Sequence, residues 1–488
     1  MSILIDFETI GKYRENNRIE AKKAVGGLPT SLWETYSSFA NTLGGIILLG
    51  VEELKDKSLH PVDLPDPDKL VKEFWNLVNN PNKVSINILT SKDVYIHEID
   101  GKRIVVITVP RADRTYKPVY IDNNPLNTYR RDGEGDYKCT KEEYQAMVRD
   151  ASIKTQDMLV LEEMGLDVIN RESLRSYRQR MKLSRPGHVW ESLEDEEFLM
   201  KLGATGTGSD GKTHPTAAGL LMFGNEYDIV REYNNYFLDY QEQYDKNNRW
   251  TDRIISSSGD WSGNIYDFYF RVYNKLQQDI KTPFKLDGIT RVDDTPVHQA
   301  LREALANCLV NADYYGRRGV VIIKRPDLIT LSNPGNSRVE IEAAKSGGIS
   351  DPRNSTILKM FNFIDIGERA GSGIPNIFRV WKEQKWSEPV ITEEYNPDRT
   401  TLSLPTTKSD DKKVTIKGDD KQSRSKTSVQ KDLIIEYLTD NVSGTISDFS
   451  DLLGVKSTRA KKIVYELIDE GIIVAEGANR NRTYKLKS

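Results

Sequence analysis

The sequence predicts a multidomain α+β protein, and three observations lead to that prediction. The chain has 488 residues, which is too long for one hydrophobic core and is typical of about three or four domains. Strand patterns mix with two helical patterns over residues 1–150. A stretch that is almost free of apolar residues, 406–428, is expected to be a flexible linker before a short C-terminal domain, 429–488.

Composition excludes several classes of protein. With 38% hydrophobic and 29% charged residues, the chain can form real cores beneath a strongly polar surface. It has no run of about 18 apolar residues and no signal-peptide pattern, so we expect a cytoplasmic protein without a membrane span. Two cysteines and five histidines exclude a disulfide scaffold and a Cys/His zinc cluster. The net charge of −4 does not exclude nucleic-acid binding, because a local basic patch is enough.

A helix, a glycine break and a strand organise the first 150 residues. Ser31 and Glu34 have the spacing of a capping box, and apolar residues repeat at helical spacing up to Gly44 and Gly45. Residues 46–51 are apolar without alternation, which predicts a strand covered on both faces. A second helix and three more strands should complete the domain, the strands over residues 84–89, 94–99 and 103–109.

The segment after this domain carries a literal phosphate-loop pattern. Residues 151–200 are helical and charged, which favours a connector. Residues 206–213 then match G-x-x-x-x-G-K-[ST], but that mechanism requires a preceding buried strand and a following helix. A helix end precedes the pattern here, and His214 and Pro215 follow it. The alternative is a polar hairpin or loop.

The second informative block lies within residues 201–405, on a predicted helix that begins near residue 298. One face of this helix is apolar, while Glu303, Asn307 and Asn311 form a polar stripe at intervals of four residues. Such a stripe requires partners, either a ligand or a buried polar network. A hairpin follows, and a glycine turn at Gly371 and Gly373 opens a further helix.

The last 60 residues follow the order helix, helix, helix, hairpin, which is typical of a winged helix-turn-helix. Its third helix would enter a major groove of DNA, and the hairpin tip is basic. The alternative is a protein-interaction module. The residues expected to contact DNA are Ser457, Arg459, Lys461, Lys462, Arg480 and Arg482.

The first domain resembles the Schlafen-like AlbA-type nucleic-acid-binding domain. The resemblance rests on Glu15, the Glu20-Ala21-Lys22 triplet, the segment 39–45 (FANTLGG) and the segment 50–53 (GVEE). Lys and Arg side chains could neutralise a phosphate backbone, and tyrosine could stack or donate. The candidates for phosphate contact are Lys22, Lys23, Arg111, Arg114, Lys117, Tyr129, Arg130 and Arg131. An ordinary solvated surface is the alternative.

The block after residue 300 resembles the ATPase-like domain, similar to the RecG C-terminal and histidine-kinase folds, that follows this domain in bacteria. The resemblance implies an α/β sandwich that binds ATP and Mg²⁺, with Asn307 carrying the metal and Glu303 activating water. It places the nucleotide beside Asn307, Asn333, Gly335, Gly371 and Gly373.

Three carboxylates of the first domain form the remaining candidate site. Some Schlafen-like proteins are ribonucleases that use three carboxylates, and here the resemblance points to Glu15, Glu20 and Glu53. Such a group could hold Mg²⁺ or Mn²⁺ and orient a water molecule toward a phosphodiester. The alternative is that Glu20 pairs with a neighbouring Lys or Arg and the domain only binds nucleic acid.

Three functions follow from these observations. The first is a DNA-binding transcriptional regulator with an ATP-binding central domain, acting as a homodimer or higher homo-oligomer. The second is a metal-dependent endoribonuclease that cleaves tRNA or other RNA, for example in phage defence. The third is a scaffold with an inactive ATPase fold.

Overall fold

A computed structural model describes two compact units, Met1–Asp411 and Lys412–Ser488. In the first unit we distinguish an N-terminal part, residues 5–152, and a central part, residues 153–407. Among the described residues no helix is long and apolar enough to cross a membrane. The described residues are 5–244, 249–278, 286–287, 290–291, 295–367, 371–395, 397–407, 431, 434, 437–438, 441, 443–453, 455, 457–469, 472–476 and 482–486.

The N-terminal part is built on a four-stranded sheet. Its first two strands are parallel and the other pairs antiparallel, in the spatial order Ile19–Lys22, Gly45–Leu49, Lys102–Val109 and Val94–Ile99. Short hairpins pair Val51–Glu53 with Leu59–Pro61 and Tyr129–Asp132 with Gly135–Lys138. The helices are Leu32–Asn41, Pro67–Val78 and Lys141–Ala151, with 3-10 turns at Phe7–Lys12 and Arg114–Tyr116.

Both faces of this sheet are covered, as the apolar run predicts. Ile47 and Leu49 pack with the helix Leu32–Asn41 in one hydrophobic cluster, whereas Ile46 and Leu48 join a second cluster on the opposite face. Successive side chains of a strand point to opposite faces of the sheet, so these residues alternate between the two clusters.

Two local predictions for this part are wrong. Ser31 precedes the helix without a side-chain cap, and its hydroxyl accepts a hydrogen bond from Lys22 Nζ at 3.1 Å instead. Residues 84–89 form no strand and make only an isolated bridge between Val84 and Ile121. Gly44 does end the helix as predicted, with a φ of +73°, and a Cβ there would lie 2.8 Å from Val109 O.

The central part contains a six-stranded sheet with helices packed around it. Only Leu238–Glu242 and Val320–Lys324 are parallel, in the order Asp252–Ile255, Leu238–Glu242, Val320–Lys324, Leu328–Pro334, Arg399–Pro405 and Val390–Glu394. The helices are Arg171–Ser184, Asp195–Leu202, Ala217–Phe223, Glu226–Glu232, Ile265–Leu276, Pro296–Val310, Ile341–Ser346, Ser355–Asn362 and Gly373–Glu383. Smaller elements are the 3-10 turns Gln156–Met158, Leu166–Val168 and Ser256–Ser258 and the strand pair Leu286–Asp287 with Thr290–Arg291.

One hydrophobic cluster runs through the whole central part, from Leu161 to Leu404. Tyr177 and Phe198, which lie in the predicted connector 151–200, are fully buried in it. These helices therefore contribute core residues to the central part, and the predicted boundary between 200 and 201 runs through this cluster.

The phosphate-loop pattern forms a hairpin. Thr205–Thr207 pairs with Thr213–Pro215, and the Glu162 carboxylate accepts from Ser209 N at 2.8 Å. The backbone N–H group of Ser209, which a phosphate would need, already donates to a carboxylate. The hairpin alternative is therefore confirmed.

The C-terminal unit contains the helical residues 431, 434, 437 and 438, the helices Ile446–Leu453 and Ser457–Asp469, and a hairpin of Ile473–Glu476 with Thr483–Leu486. A bridge joins Gly444 to Tyr484. Phe449, Ile463 and Leu467 are fully buried in its hydrophobic cluster. The predicted linker 406–428 lies outside the described residues after Thr407.

Candidate functional site

The three predicted metal-binding carboxylates are close in space, but each is already bonded. Glu15 accepts from Ala21 N at 2.9 Å, and Glu53 pairs with Lys57 at 3.2 Å. Glu20 pairs with Lys22 at 2.9 Å through one oxygen and with Arg131 at 2.8 Å through the other. Burial raises the pKa of Glu15, and the charges of Glu20 and Glu53 raise it further.

The arrangement of these carboxylates is not that of a formed metal site, although Glu53 Oε1 is buried without a hydrogen-bond partner. Across the part of the chain that the structure describes, no group of three His, Cys, Asp or Glu side chains is placed to hold one. Two cations already neutralise Glu20, and a divalent ion would have to displace them. As placed in this structure, Glu20 and Glu53 are held in ion pairs, and a metal-binding or catalytic role of Glu15, Glu20 and Glu53 stays a prediction.

Among the basic residues predicted to contact phosphate, Lys22, Arg130 and Arg131 are also enclosed, whereas Lys23 is not. The Arg131 side chain is 1% exposed, lies between Glu20 and Asp136, and packs 5.2 Å from the Phe39 ring. Arg130 is 9% exposed and pairs with Asp398. Lys22 is nearly buried against Glu20, whereas Lys23 is 57% exposed. Of these four, only Lys23 remains available to a phosphate, and the prediction for the other three is corrected.

The basic residues further along the same part also have protein partners. Arg111 binds Glu393 at 2.9 Å and Ser337 O at 2.7 Å, and Arg114 pairs with Asp351. Lys117 Nζ donates to Asn41 O at 2.9 Å, and Tyr129 OH donates to Glu34 at 3.0 Å. Most of these partners belong to the central part, so the basic segment is an internal interface.

Asp150 lies at the centre of this interface. It accepts from Arg338 at 2.8 Å and from Arg353 at 2.7 Å, and those side chains are 3% and 5% exposed. Burial alone would raise the pKa of Asp150, but the two guanidinium groups outweigh burial and hold it below its usual range. Arg149 adds a pair with Asp313 at 3.1 Å. Sequence reasoning missed Asp150, Arg338 and Asp398, because no local pattern indicates partners 188 and 268 residues away.

The polar stripe of the helix Pro296–Val310 borders a cavity of about 150 Å³ in the central part. Asn307 Nδ2 donates to Glu303 Oε1 at 2.9 Å, and Asn311 Nδ2 donates to Asn307 O at 3.0 Å. A Cβ on Gly373 would lie 2.1 Å from Glu303 Oε1, so a larger residue at this position would displace the Glu303 side chain. The predicted residues that line the cavity are Glu303, Asn307, Asn333, Gly371 and Gly373.

Gly335 departs from this prediction. It has a φ of +90°, and a Cβ there would lie 2.6 Å from the guanidinium of Arg353. It therefore leaves room for the Arg353 guanidinium, and its contact with a nucleotide stays a prediction. The cavity lining instead includes Arg338, a cation that the sequence did not point out.

Most of the described residues that are predicted to contact DNA in the C-terminal unit are exposed. Ser457, Lys461 and Lys462 are exposed on the helix Ser457–Asp469, and Arg459 is half-buried. Arg482 is exposed, with its guanidinium 6.0 Å from the Tyr465 ring. Arg480 lies outside the described residues.

Comparisons with protein families match three segments of the chain. Residues 15–140 match the family described as "Schlafen, AlbA_2", and residues 318–402 match "Putative ATP-dependent DNA helicase recG C-terminal". Residues 145–239 match "Domain of unknown function (DUF8451)". The helix that carries Glu303 and Asn307 precedes the second match. No curated protein matches the chain.

Two solved structures are similar to the chain. The DIP2311 protein from Corynebacterium diphtheriae is 15% identical over 96% of this chain and 95% of its own, with a TM-score of 0.39. The N-terminal domain of a "Putative ATP-dependent DNA Helicase RecG-related Protein" from Nitrosomonas europaea is 31% identical over 28% of this chain and 90% of its own, with a TM-score of 0.22. Residues 15–140 are therefore similar to the Schlafen AlbA_2 family, and residues 318–402 are similar to the RecG C-terminal family.

Proposed function

We propose that this protein is a DNA-binding transcriptional regulator that contacts DNA through its C-terminal unit. The observation that carries the proposal is the contrast in accessibility between the two ends of the chain. Lys461, Lys462 and Arg482 are exposed, whereas Arg130 and Arg131 are enclosed by carboxylates. Phosphate neutralisation requires accessible cations, so the C-terminal unit is the better candidate for the DNA interface.

The arrangement of the C-terminal elements supports a winged helix-turn-helix. Two helices precede a hairpin, and the Gly444–Tyr484 bridge adds a short third pairing to its edge. In such motifs the N-terminal residues of the recognition helix reach the major groove. Ser457 and Lys461 lie at that end of the helix. Because winged helices often bind paired half-sites, a homodimer accompanies the proposal.

The first prediction concerns duplex DNA. We expect the double variant Lys461→Ala/Lys462→Ala to bind a duplex roughly tenfold more weakly in 100 mM salt, since two phosphate contacts are removed. Fluorescence anisotropy with the full chain measures this affinity. The matched control is Lys72→Ala/Lys92→Ala, which removes the same charge from exposed positions of the N-terminal part. Equal affinities of the two double variants would reject the assignment.

We further propose that the central cavity binds a nucleotide and acts as a switch. Its wall combines apolar side chains, such as Ile341 and Ile349, with Asn307, Asn333 and the guanidinium of Arg338. Apolar walls with a few polar groups suit a base and its phosphates. When bound, a magnesium ion would balance the phosphate charge, with Asn307 and Glu303 as its nearest polar groups in the chain.

The second prediction tests this cavity. We expect Asn307→Ala to weaken Mg-ATP binding about tenfold, because the variant loses a polar ligand group and the partner of Glu303. Isothermal titration calorimetry on the full chain measures the affinity, and circular dichroism checks folding. Asn274→Ala, an exposed position on the neighbouring helix, serves as the control. If the wild-type chain gives no binding heat with Mg-ATP, the cavity has no role in nucleotide binding.

A further inference from the structure

A second, smaller cavity lies between the N-terminal and central parts of the first unit. Its volume is about 50 Å³, enough for a few water molecules or one small ion. It shares Asn336, Ser337 and Arg338 with the larger central cavity. The two cavities are therefore neighbours along the same loop.

The lining of this cavity is strongly cationic. It carries five basic side chains, Arg111, Arg114, Lys117, Arg130 and Arg338, and two carboxylates, Asp150 and Asp398. Glu393 and Asp351 offset the first two arginines, and the carboxylates of the lining offset Arg130 and Arg338. Lys117 is left without an ion pair among the described residues.

Lys117 is half-buried, and its ammonium group makes fewer hydrogen bonds than it can. It has three N–H donors, and the structure gives it one acceptor, Asn41 O. Burial lowers its pKa, and the neighbouring charges of Arg111 and Arg130 lower it further. A buried ammonium group with two free donors is costly unless an anion or water accepts from it.

Arg130 supplies a second unused donor at the same place. The residue is 8% exposed, and its Nε is buried without a hydrogen-bond partner. The side-chain oxygen of Asn336 is also buried without a partner, and rotation of that amide would present its NH₂ group instead. Buried polar groups are normally satisfied, so two unpartnered atoms and an ammonium group with a single acceptor around one cavity indicate a missing partner.

We propose that this interdomain cavity binds a tetrahedral oxyanion, either free phosphate or the phosphoryl group of a nucleotide that extends from the central cavity. Its oxygens accept from Lys117 Nζ and Arg130 Nε. Such an ion supplies the negatively charged partner that Lys117 lacks. It also bonds side chains that already hold the two parts together. Occupancy of the site therefore strengthens the contact between the AlbA_2 domain and the central part. The proposal does not depend on DNA binding.

The third prediction uses sulfate as the probe, because sulfate does not titrate near neutral pH. We expect the full chain to bind one sulfate in calorimetry, with an affinity that falls as the pH rises through the lowered pKa of Lys117 in a series from pH 5 to pH 10. The sign follows from Lys117: the anion binds its charged form, and this form is lost as the pH rises. Lys117→Met should weaken sulfate binding on the order of 10- to 100-fold and remove the pH dependence.

The control is Lys92→Met, an exposed lysine of the same part, which should leave both readouts unchanged. Competition by inorganic phosphate but not by ATP identifies the free ion, and competition by ATP identifies a phosphoryl group. Absence of sulfate binding up to tens of millimolar, or binding that Lys117→Met leaves intact, overturns the proposal. If Lys117→Met fails to fold, the pH dependence in the wild type alone decides: a pH-independent affinity rejects the site.

Discussion

Replacing Asp150 by alanine is expected to lower the free energy of unfolding of the first unit by about 3–5 kcal/mol. The substitution removes the shared partner of Arg338 and Arg353, whose side chains are almost completely buried. Uncompensated buried charges, rather than the loss of one attraction, account for a cost of this size. Urea unfolding of the full chain, followed by tryptophan fluorescence, measures it.

A matched surface pair provides the control for this experiment. Asp365 pairs with Arg185 at 3.3 Å, and both side chains are largely exposed. Asp365→Ala should therefore change the free energy of unfolding by less than about 1 kcal/mol. If the two alanine variants were equally stable, Asp150 would not hold the two parts together.

The Asp150 ion pairs also make stability depend on pH. The pKa of Asp150 is lower in the folded protein than in the unfolded chain, so its contribution is present above about pH 4 and is lost as the pH falls through the folded value. Asp150→Asn should therefore remove part of the acid sensitivity of the wild type. Urea unfolding at pH 5 and at pH 3 measures how much stability the wild type and Asp150→Asn each lose on acidification.

Arg131→Ala is expected to destabilise the N-terminal part by about 3–5 kcal/mol and to leave DNA binding of the folded protein unchanged. Arg131 is the common partner of Glu20 and Asp136, and it also donates to Asn16 O at 2.9 Å. The variant leaves the nearly buried Asp136 without its cation and leaves Glu20 with Lys22 alone. Thermal unfolding and fluorescence anisotropy on the same sample separate stability from binding.

Lys23→Ala is the matched control, because Lys23 is a basic residue of the same part that remains exposed. Its pair with Glu52 at 3.2 Å should contribute less than about 1 kcal/mol. If Arg131→Ala is stable but binds DNA more weakly, Arg131 contacts phosphate and this prediction is wrong.

The sequence predicted the local units well, because local periodicity carries them. The alternation of Ile46, Ile47, Leu48 and Leu49 between two hydrophobic clusters follows from the unbroken apolar run. The polar stripe of Glu303 and Asn307 does border a cavity, since residues four apart share one helix face.

The tertiary partners of charged residues could not be predicted in the same way. The capping box failed because Lys22 bonds Ser31, and this contact depends on how the first strand lies beside the helix. Arg130 reads as a surface cation in the sequence, yet its carboxylate Asp398 lies 268 residues away. Basic composition predicts charge, but only the fold decides whether that charge meets a phosphate or a carboxylate.

The salt dependence of duplex DNA binding tests the central claim most directly. For the wild-type chain, the slope of log Kobs against log salt counts the phosphates that the protein neutralises. We predict that Lys461→Ala/Lys462→Ala reduces the magnitude of that slope by about 2, one unit for each lost contact. An unchanged slope in this variant, together with a reduced slope in Arg130→Gln, would place the DNA interface on the N-terminal part and contradict the account.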